Sequence, residues 1–367
     1  MAELVNTFLD NLIALTSRLL DFPIYLLLPG VLVLGLLIRL IIEFIVRKIW
    51  KKEARMKYFY PVMVVLMLIF IVDHRFRMIE KNLDQLNTRF LSVYNQNNTN
   101  SGSSSTYDLT GIKTKFRSLK YWEQNLNPAI DLVTIKKSEP NAVAFISIID
   151  LEYPGTEICI TPELKEKYLT STFARENNCD VAINGEAGES MKQGCALGEW
   201  TGNLIVNGNP LLLEDSDKRP FLSFDKYNHS RYFKADLVDR NPSEEKYNTI
   251  WGRFDLLVDG EYIPPRKTEQ PYSRTIMAIN REGNQLFLMI VDGKRSEYSL
   301  GLSYGECAEI LKELGAWNGM ACDQGGSSCM YLKTLDGIIN RPADSDGYER
   351  YVYTHFGVRI KLIGEGN

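Results

Sequence analysis

The apolar positions of this chain change character near residue 75. Before it they run on almost unbroken; after it they fall into short blocks separated by turns. Phe22 to Val46 contains an apolar run from Ile24 to Ile38, long enough for a bilayer-spanning helix. Arg39 and Glu43 stand one helical turn apart near its end. A second apolar segment, Tyr58 to Val72, is shorter than the ~20 residues a span needs and opens on aromatic residues. Between them lies the basic stretch Arg47 to Lys57. Positive charge beside apolar spans stays inside, so the pattern predicts a transmembrane hairpin with both termini outside.

Apolar residues then recur at Val72, Phe76, Ile79, Leu83, Leu86, Phe90 and Val93. That alternation of four and three predicts a coiled-coil-like stalk, with self-association or contact to membrane-complex subunits through 72–93. Asn95 to Thr106 holds no apolar residue and reads as a flexible linker. The expected organisation is a transmembrane hairpin with a cytoplasmic basic loop over 1–75, a stalk over 76–95, a linker over 96–107 and one exported domain over 108–367.

Within that last stretch, Ala142–Ile149, Val181–Asn184, Leu204–Gly208, Arg253–Val258, Thr275–Ile279, Gln285–Val291 and His355–Leu362 read as strands. Asp259-Gly260 and Glu282-Gly283-Asn284 supply turns. Glu163–Asn177 reads as a helix, and so does Ser303–Leu314. The latter has Ser303 as N-cap, Glu306 completing a capping box and Gly315 at the left-handed position past its end. The predicted class is α+β: a large mixed β-sheet domain with packed helices, preceded by the two-helix hairpin and the helical stalk.

Charge changes this picture little. With 42 basic and 46 acidic residues the net charge is -4, which gives no basic field for nucleic acid. The six cysteines all follow the apolar region, an even number that permits disulfides in an exported domain without ranking their pairings. No cysteine spacing matches a zinc site. Asn97-Asn98-Thr99 and Asn228-His229-Ser230 are glycosylation sequons.

Candidate chemistry gathers where apolar strands end in polar residues beside glycine. The richest stretch is Leu314 to Leu332, with Asp323-Gln324-Gly325-Gly326-Ser327-Ser328 between apolar flanks. Ala182-Ile183-Asn184-Gly185-Glu186, Tyr272-Ser273-Arg274-Thr275 and Ile290-Val291-Asp292-Gly293-Lys294 share the habit. Strand ends face clefts, and arginine with loop amides suits phosphate oxygens. The set therefore fits a substrate carrying both an anion and hydroxyls.

The order of these motifs resembles the phosphodiester glycosidase family. The residues concerned are Ile183-Asn184-Gly185, Arg274-Thr275, Val291-Asp292-Gly293, Gly301-Leu302-Ser303, Asp323–Ser328 and Glu349-Arg350-Tyr351-Val352. The resemblance spans about residues 140 to 362. It implies a hydrolase that cleaves a sugar-1-phosphodiester of a glycan or glycoconjugate, which the apolar segments would anchor to a membrane with the domain outside the cytoplasm. Asp323 would be the leading catalytic carboxylate, with Asp292 and Glu186 as further candidates. Asn184, Gly185, Arg274, Thr275, Gly325, Gly326, Ser327 and Ser328 would bind the substrate, Arg274 its phosphate and Asn184 a hydroxyl. No cofactor is assigned with certainty, and a divalent metal is compatible with the carboxylates without being demanded by their spacing. Two positions depart from the family pattern: Glu186 stands where the family keeps a second glycine, and Gln324 where it keeps the first glycine after the aspartate. The alternative reading is a catalytically degenerate member serving as a structural subunit of a membrane complex.

Overall fold

In a computed structural model, the structure describes residues 107, 119–186, 202–213, 219–235, 246–265, 270–343 and 347–361. All fall within one compact unit, Leu83–Asn367. The elements in chain order begin with β1 (Lys120–Asn127), β2 (Ile130–Ser138), β3 (Asn141–Asp150) and β4 (Thr156–Ile160). Next come α1 (Thr170–Glu176), β5 (Val181–Asn184), β6 (Asn203–Val206), β7 (Asn209–Leu213), β8 (Phe221–Phe224) and β9 (Ser230–Phe233). They are followed by β10 (Asn248–Trp251), β11 (Phe254–Val258), β12 (Glu261–Tyr262), β13 (Arg274–Ile279) and β14 (Gln285–Val291). The last are α2 (Tyr304–Glu313), β15 (Asn318–Ala321), β16 (Met330–Leu332), β17 (Gly337–Ile338) and β18 (His355–Ile360).

The strands make three sheets. One has eight strands in the order β1-β2-β3-β14-β13-β15-β11-β12; the others have five each, β7-β6-β10-β8-β9 and β17-β16-β5-β18-β4. Neighbouring strands pair antiparallel throughout the described residues, as in β13 with β14 and β18 with β5.

The α+β expectation is corrected here. The described residues are mostly strand, with two α-helices, and the sheets are three and antiparallel rather than one large mixed sheet. Tight turns account for this: Asp259 and Gly260 both take positive φ and join β11 to β12 directly, which leaves no crossover to fill with a helix. The helix expected over Glu163–Asn177 shrinks to the seven residues of α1. Tyr168 is instead held in an extended bridge to Val352, so the chain turns helical only after Leu169. α2 forms as read, with the Ser303–Glu306 capping box in place.

The expectation of two transmembrane helices, and of a membrane location built on them, is also corrected. Among the described residues no helix is long and apolar enough to cross a membrane. α2, the longer of the two, has ten residues and so spans roughly 15 Å against a hydrocarbon core of about 30 Å. The segments read as hairpin and stalk, and the linker apart from Tyr107, lie outside the described residues.

Two apolar layers sandwich the eight-stranded sheet. On β14, Leu286, Leu288 and Ile290 face the main core between the sheets, while Phe287, Met289 and Val291 face a second cluster capped by α2. Burial on both faces is why this strand reads as an unbroken apolar run. On β5, Val181 and Ile183 join the main core, whereas Ala182 turns to a small cluster with Phe173 of α1. Cys159, Cys179, Cys307, Cys322 and Cys329 are all buried, and all are free thiols rather than disulfides.

β15 belongs to the large sheet and β16 to a five-stranded one. The stretch between them is therefore a crossing between sheets, not a hairpin turn. That crossing carries Asp323 to Ser328.

Candidate functional site

Residues 325–327 of the crossing wind into one 3-10 turn, closed by Ser328 N–H donating to Gly325 O at 3.2 Å. Gly325 enters it at φ +82°, in the left-handed region that glycine adopts at least cost. A Cβ there would stand 3.5 Å from Tyr272 Oη and 3.8 Å from Lys294 Nζ. Arg350 Nη1 reaches Ser327 Oγ at 3.4 Å. The turn thus lies among cationic and phenolic groups from three other segments.

Asn184, at the end of β5, ties the crossing to both sheets. Its Nδ2 donates to Asp323 O at 3.0 Å and Gly185 O at 3.1 Å. Its Oδ1 accepts from Thr275 Oγ1 at 2.9 Å and from Cys329 N–H at 3.1 Å. Thr275 Oγ1 lies 3.1 Å from Ser328 Oγ. One fully buried amide therefore fixes both ends of the turn, and its hydrogen-bonding capacity is used in doing so.

Two carboxylates converge on one arginine. Arg253 Nη2 donates to Glu186 Oε1 at 2.8 Å and to Asp323 Oδ1 at 2.9 Å, and Arg253 Nε reaches the same Glu186 oxygen at 3.0 Å. Asp323 Oδ1 also accepts from Gln324 N–H at 3.0 Å. Arg219 Nη1 stands 3.9 Å from Glu186 Oε1. Glu186 is 1 % exposed, and among the described residues its Oε2 has no hydrogen-bond partner. Burial pushes its carboxyl up to about 8, with Asp323 adding to the rise, while Arg253 and Arg219 pull the other way. Burial prevails because an ion pair on one oxygen does not replace the water lost from the other.

Arg274 and Gln324 form the opposite flank. Arg274 Nη1 donates to Gln324 Oε1, which also accepts from Tyr304 Oη at 2.7 Å. Arg274 Nη2 donates to Gln270 O at 2.7 Å and Nε to Leu302 O at 3.3 Å. The guanidinium lies 3.7 Å from the centre of the Tyr304 ring. In this arrangement the Gln324 side chain occupies the donor that the sequence reading assigned to phosphate.

Asp292 sits behind the turn. Its carboxylate accepts from Asn340 Nδ2 at 3.0 Å, Tyr298 Oη at 3.0 Å and Arg341 N–H at 3.0 Å on each oxygen. Burial nevertheless raises it to about 6. Among the described residues its hydrogen-bonded link to the crossing runs through Asn340, whose Nδ2 also donates to Ser328 O at 2.9 Å.

The structure therefore draws Asp323, Glu186, Asn184, Gly185, Thr275 and Gly325–Ser328 around one turn. Asp292 stands as a buttress behind it and Arg274 to one side. Sequence reasoning missed Arg253, Arg219, Lys294, Tyr304 and the role of Arg350. Lys294 and Arg350 lay inside quoted motifs and could have been flagged by charge. Arg253 and Arg219 carry no local signal, since only the pairing of β11 with β15 brings Arg253 to Asp323. Among the described residues no group of three or more His, Cys, Asp or Glu side chains is arranged to hold a metal ion.

Comparison with known proteins agrees with the order of these motifs. The family model for phosphodiester glycosidases matches residues 177–359. Among solved structures, the chain resembles the zebrafish N-acetylglucosamine-1-phosphodiester alpha-N-acetylglucosaminidase catalytic domain auto-inhibited by its pro-peptide. The identity is 17%, with a TM-score of 0.52, covering 66% of this chain and 89% of that one. A hypothetical protein from Synechocystis aligns at 14% identity and a TM-score of 0.49, covering 66% of this chain and 64% of that one. No curated protein matches the chain. Over residues 177–359 this chain belongs to the phosphodiester glycosidase family.

Proposed function

We propose that the chain hydrolyses a sugar-1-phosphodiester, releasing the free sugar and a phosphomonoester. The observation that carries this reading is the Glu186–Arg253–Asp323 array beside the Gly325–Ser328 turn. Cleaving the bond from the sugar carbon to the phosphate oxygen needs an activated water, a stabilised leaving phosphate and a pocket that holds the sugar.

Asp323, 15% exposed at its side chain, is the base for the attacking water. Arg253 fixes its orientation through Oδ1. Glu186, raised to about 8, keeps its proton at neutral pH and so adds no negative charge beside the anionic diester. The turn amides, with Lys294 and Arg350 close by, face the phosphate as its charge grows. Asn184, Thr275 and Asp292 hold the turn rather than the substrate. Purified chain should release reducing sugar from a glycosyl-1-phosphodiester, and Asp323→Asn should abolish release while leaving the thermal transition in place. Equal release by both proteins would refute the assignment.

One observation favours a second reading, a non-catalytic member of the family. Gln324 engages the Arg274 guanidinium in the position that the family pattern leaves bare. A chain that binds the diester yet never turns it over would establish that reading.

A further inference from the structure

A cavity of about 380 Å³ opens along β4, the edge strand of its sheet, and neither Glu186, Arg253 nor Asp323 lines it. Its walls include Glu157, Cys159, Asn177, Lys226 and Arg359. Cys159 is directly opposite Gly357 on β18, and Gly357 is directly opposite Ala182 on β5. Residues so paired point their side chains to one face, with Cβ atoms ~5 Å apart. A Cβ added to Gly357 would lie 2.7 Å from Cys179 Sγ. The sulfur of Cys179 thus fills the slot that the missing side chain at 357 leaves, immediately beside Cys159. Both cysteines belong to the buried cluster with Phe173, Ala174, Ala182 and Tyr331.

The two thiols differ. Cys159 reaches the cavity, and its Sγ lies 4.0 Å from Asn177 O, which also accepts from Arg359 Nη1 at 3.2 Å. The S–H of Cys179 directed at it, and then the Arg359 charge, hold the Cys159 thiol below its usual range, while the same contact and burial push Cys179 up. Cys179 is 1% exposed and is pinned by its N–H donating to Ala174 O at 2.8 Å.

We propose that Cys159 and Cys179 are a reversible dithiol–disulfide pair, oxidised by a low-molecular-weight disulfide of the glutathione type that enters through this cavity. The Cys159 thiolate attacks one sulfur of the incoming disulfide, forming a mixed disulfide and expelling one thiolate. Cys179 then loses its proton to solvent and attacks Cys159 Sγ, expelling the second thiolate. The protein loses two electrons and the small disulfide gains them as two thiols. The new bond encloses α1 and Tyr168, whose bridge partner Val352 is two residues from Arg350. Constraining that loop restricts the unfolded chain, so the oxidised form should melt several degrees higher.

The test treats the reduced full-length chain with oxidised glutathione, alkylates the remaining thiols and maps the peptides by mass. The expected product is a Cys159–Cys179 cross-link that dithiothreitol reverses, with Cys307, Cys322 and Cys329 still alkylated under denaturing conditions. Cys179→Ser should trap glutathione on Cys159, and Cys159→Ser should leave Cys179 unmodified. Finding both residues alkylated after oxidation, or Cys159 joined to a different cysteine, would overturn the proposal. So would a trapped adduct on Cys179 in the Cys159→Ser chain.

Discussion

Arg253 and Glu186 are joined on one side only: Nε at 3.0 Å and Nη2 at 2.8 Å both donate to Oε1, and among the described residues the buried Oε2 has no partner. A carboxylate satisfied on one oxygen and dry on the other holds a proton in the folded chain that it would release in water.

That arrangement gives stability a pH dependence of known sign. Below about 4.5 the Glu186 carboxyl is protonated whether the chain is folded or not. Between there and about 8 only the folded chain keeps the proton, and above about 8 the folded state bears the whole cost of the buried charge. The stability contribution is thus complete in acid and lost as pH rises through about 8. Melting temperatures of wild type and Glu186→Gln should diverge steadily between pH about 4.5 and about 8 and keep a constant offset above it, the variant losing less. In the wild type kcat/KM should fall as pH passes about 8. Parallel melting temperatures at every pH would show that Glu186 ionises normally.

Removing the shared arginine should uncouple the two carboxylates. Arg253→Ala leaves Glu186 Oε1 and Asp323 Oδ1 without their common donor. Loss of a preorganised charged donor costs on the order of 100-fold in turnover, and charged hydrogen bonds contribute about 2 kcal/mol of stability. Steady-state kinetics and urea unfolding of the variant measure both.

Gln324→Gly separates the two functional readings. It removes the oxygen that Arg274 Nη1 and Tyr304 Oη now share. The freed guanidinium donor should lower KM for an anionic diester several-fold, against a stability loss of about 1 kcal/mol from the added glycine. A higher KM in the variant would place Gln324 among the groups that bind substrate.

The Asp292 network should report on structure, not on chemistry. Asn340→Ala removes the donor shared by Asp292 Oδ1 and Ser328 O and leaves both buried acceptors short of a partner. A loss of about 2 kcal/mol is expected, with a fall in kcat that a stabilising osmolyte restores in part. A rate loss without a stability loss would give Asp292 a direct part in the reaction.

The Asn228 sequon is engaged by the fold. Asn228 sits at φ +66° with its Nδ2 donating to Thr156 O at 2.5 Å, so the nitrogen that would carry a glycan faces the protein. Expression in a glycosylating host should leave the folded chain unmodified at this residue, as peptide mass mapping would show.

Much of this was readable in the sequence where one residue type solves one local problem. The Ser303–Glu306 capping box fixed the start of α2, and the apolar run from Leu286 to Val291 marked a strand covered on both faces. The glycine-rich turn and the order of the motifs around it identified the family. What stayed hidden depends on partners distant in the chain. The number of sheets is set by which strand each hairpin finds next, and Arg253 meets Glu186 across 67 residues. Arg274 was legible as a strand-end cation, yet its engagement by Gln324 required the fold of both segments. The thiols likewise carry no pairing signal in their spacing, since only the register of β4, β18 and β5 sets Cys159 beside Cys179.

The central claim is that the turn at Gly325–Ser328 and the carboxylates beside it form one hydrolytic centre acting at the sugar carbon. Hydrolysing a glycosyl-1-phosphodiester in isotopically labelled water tests this most directly, with the heavy oxygen traced by mass spectrometry. The label should appear in the released sugar and be absent from the phosphomonoester. Label in the phosphate, or no turnover by a chain that binds the diester, would contradict it.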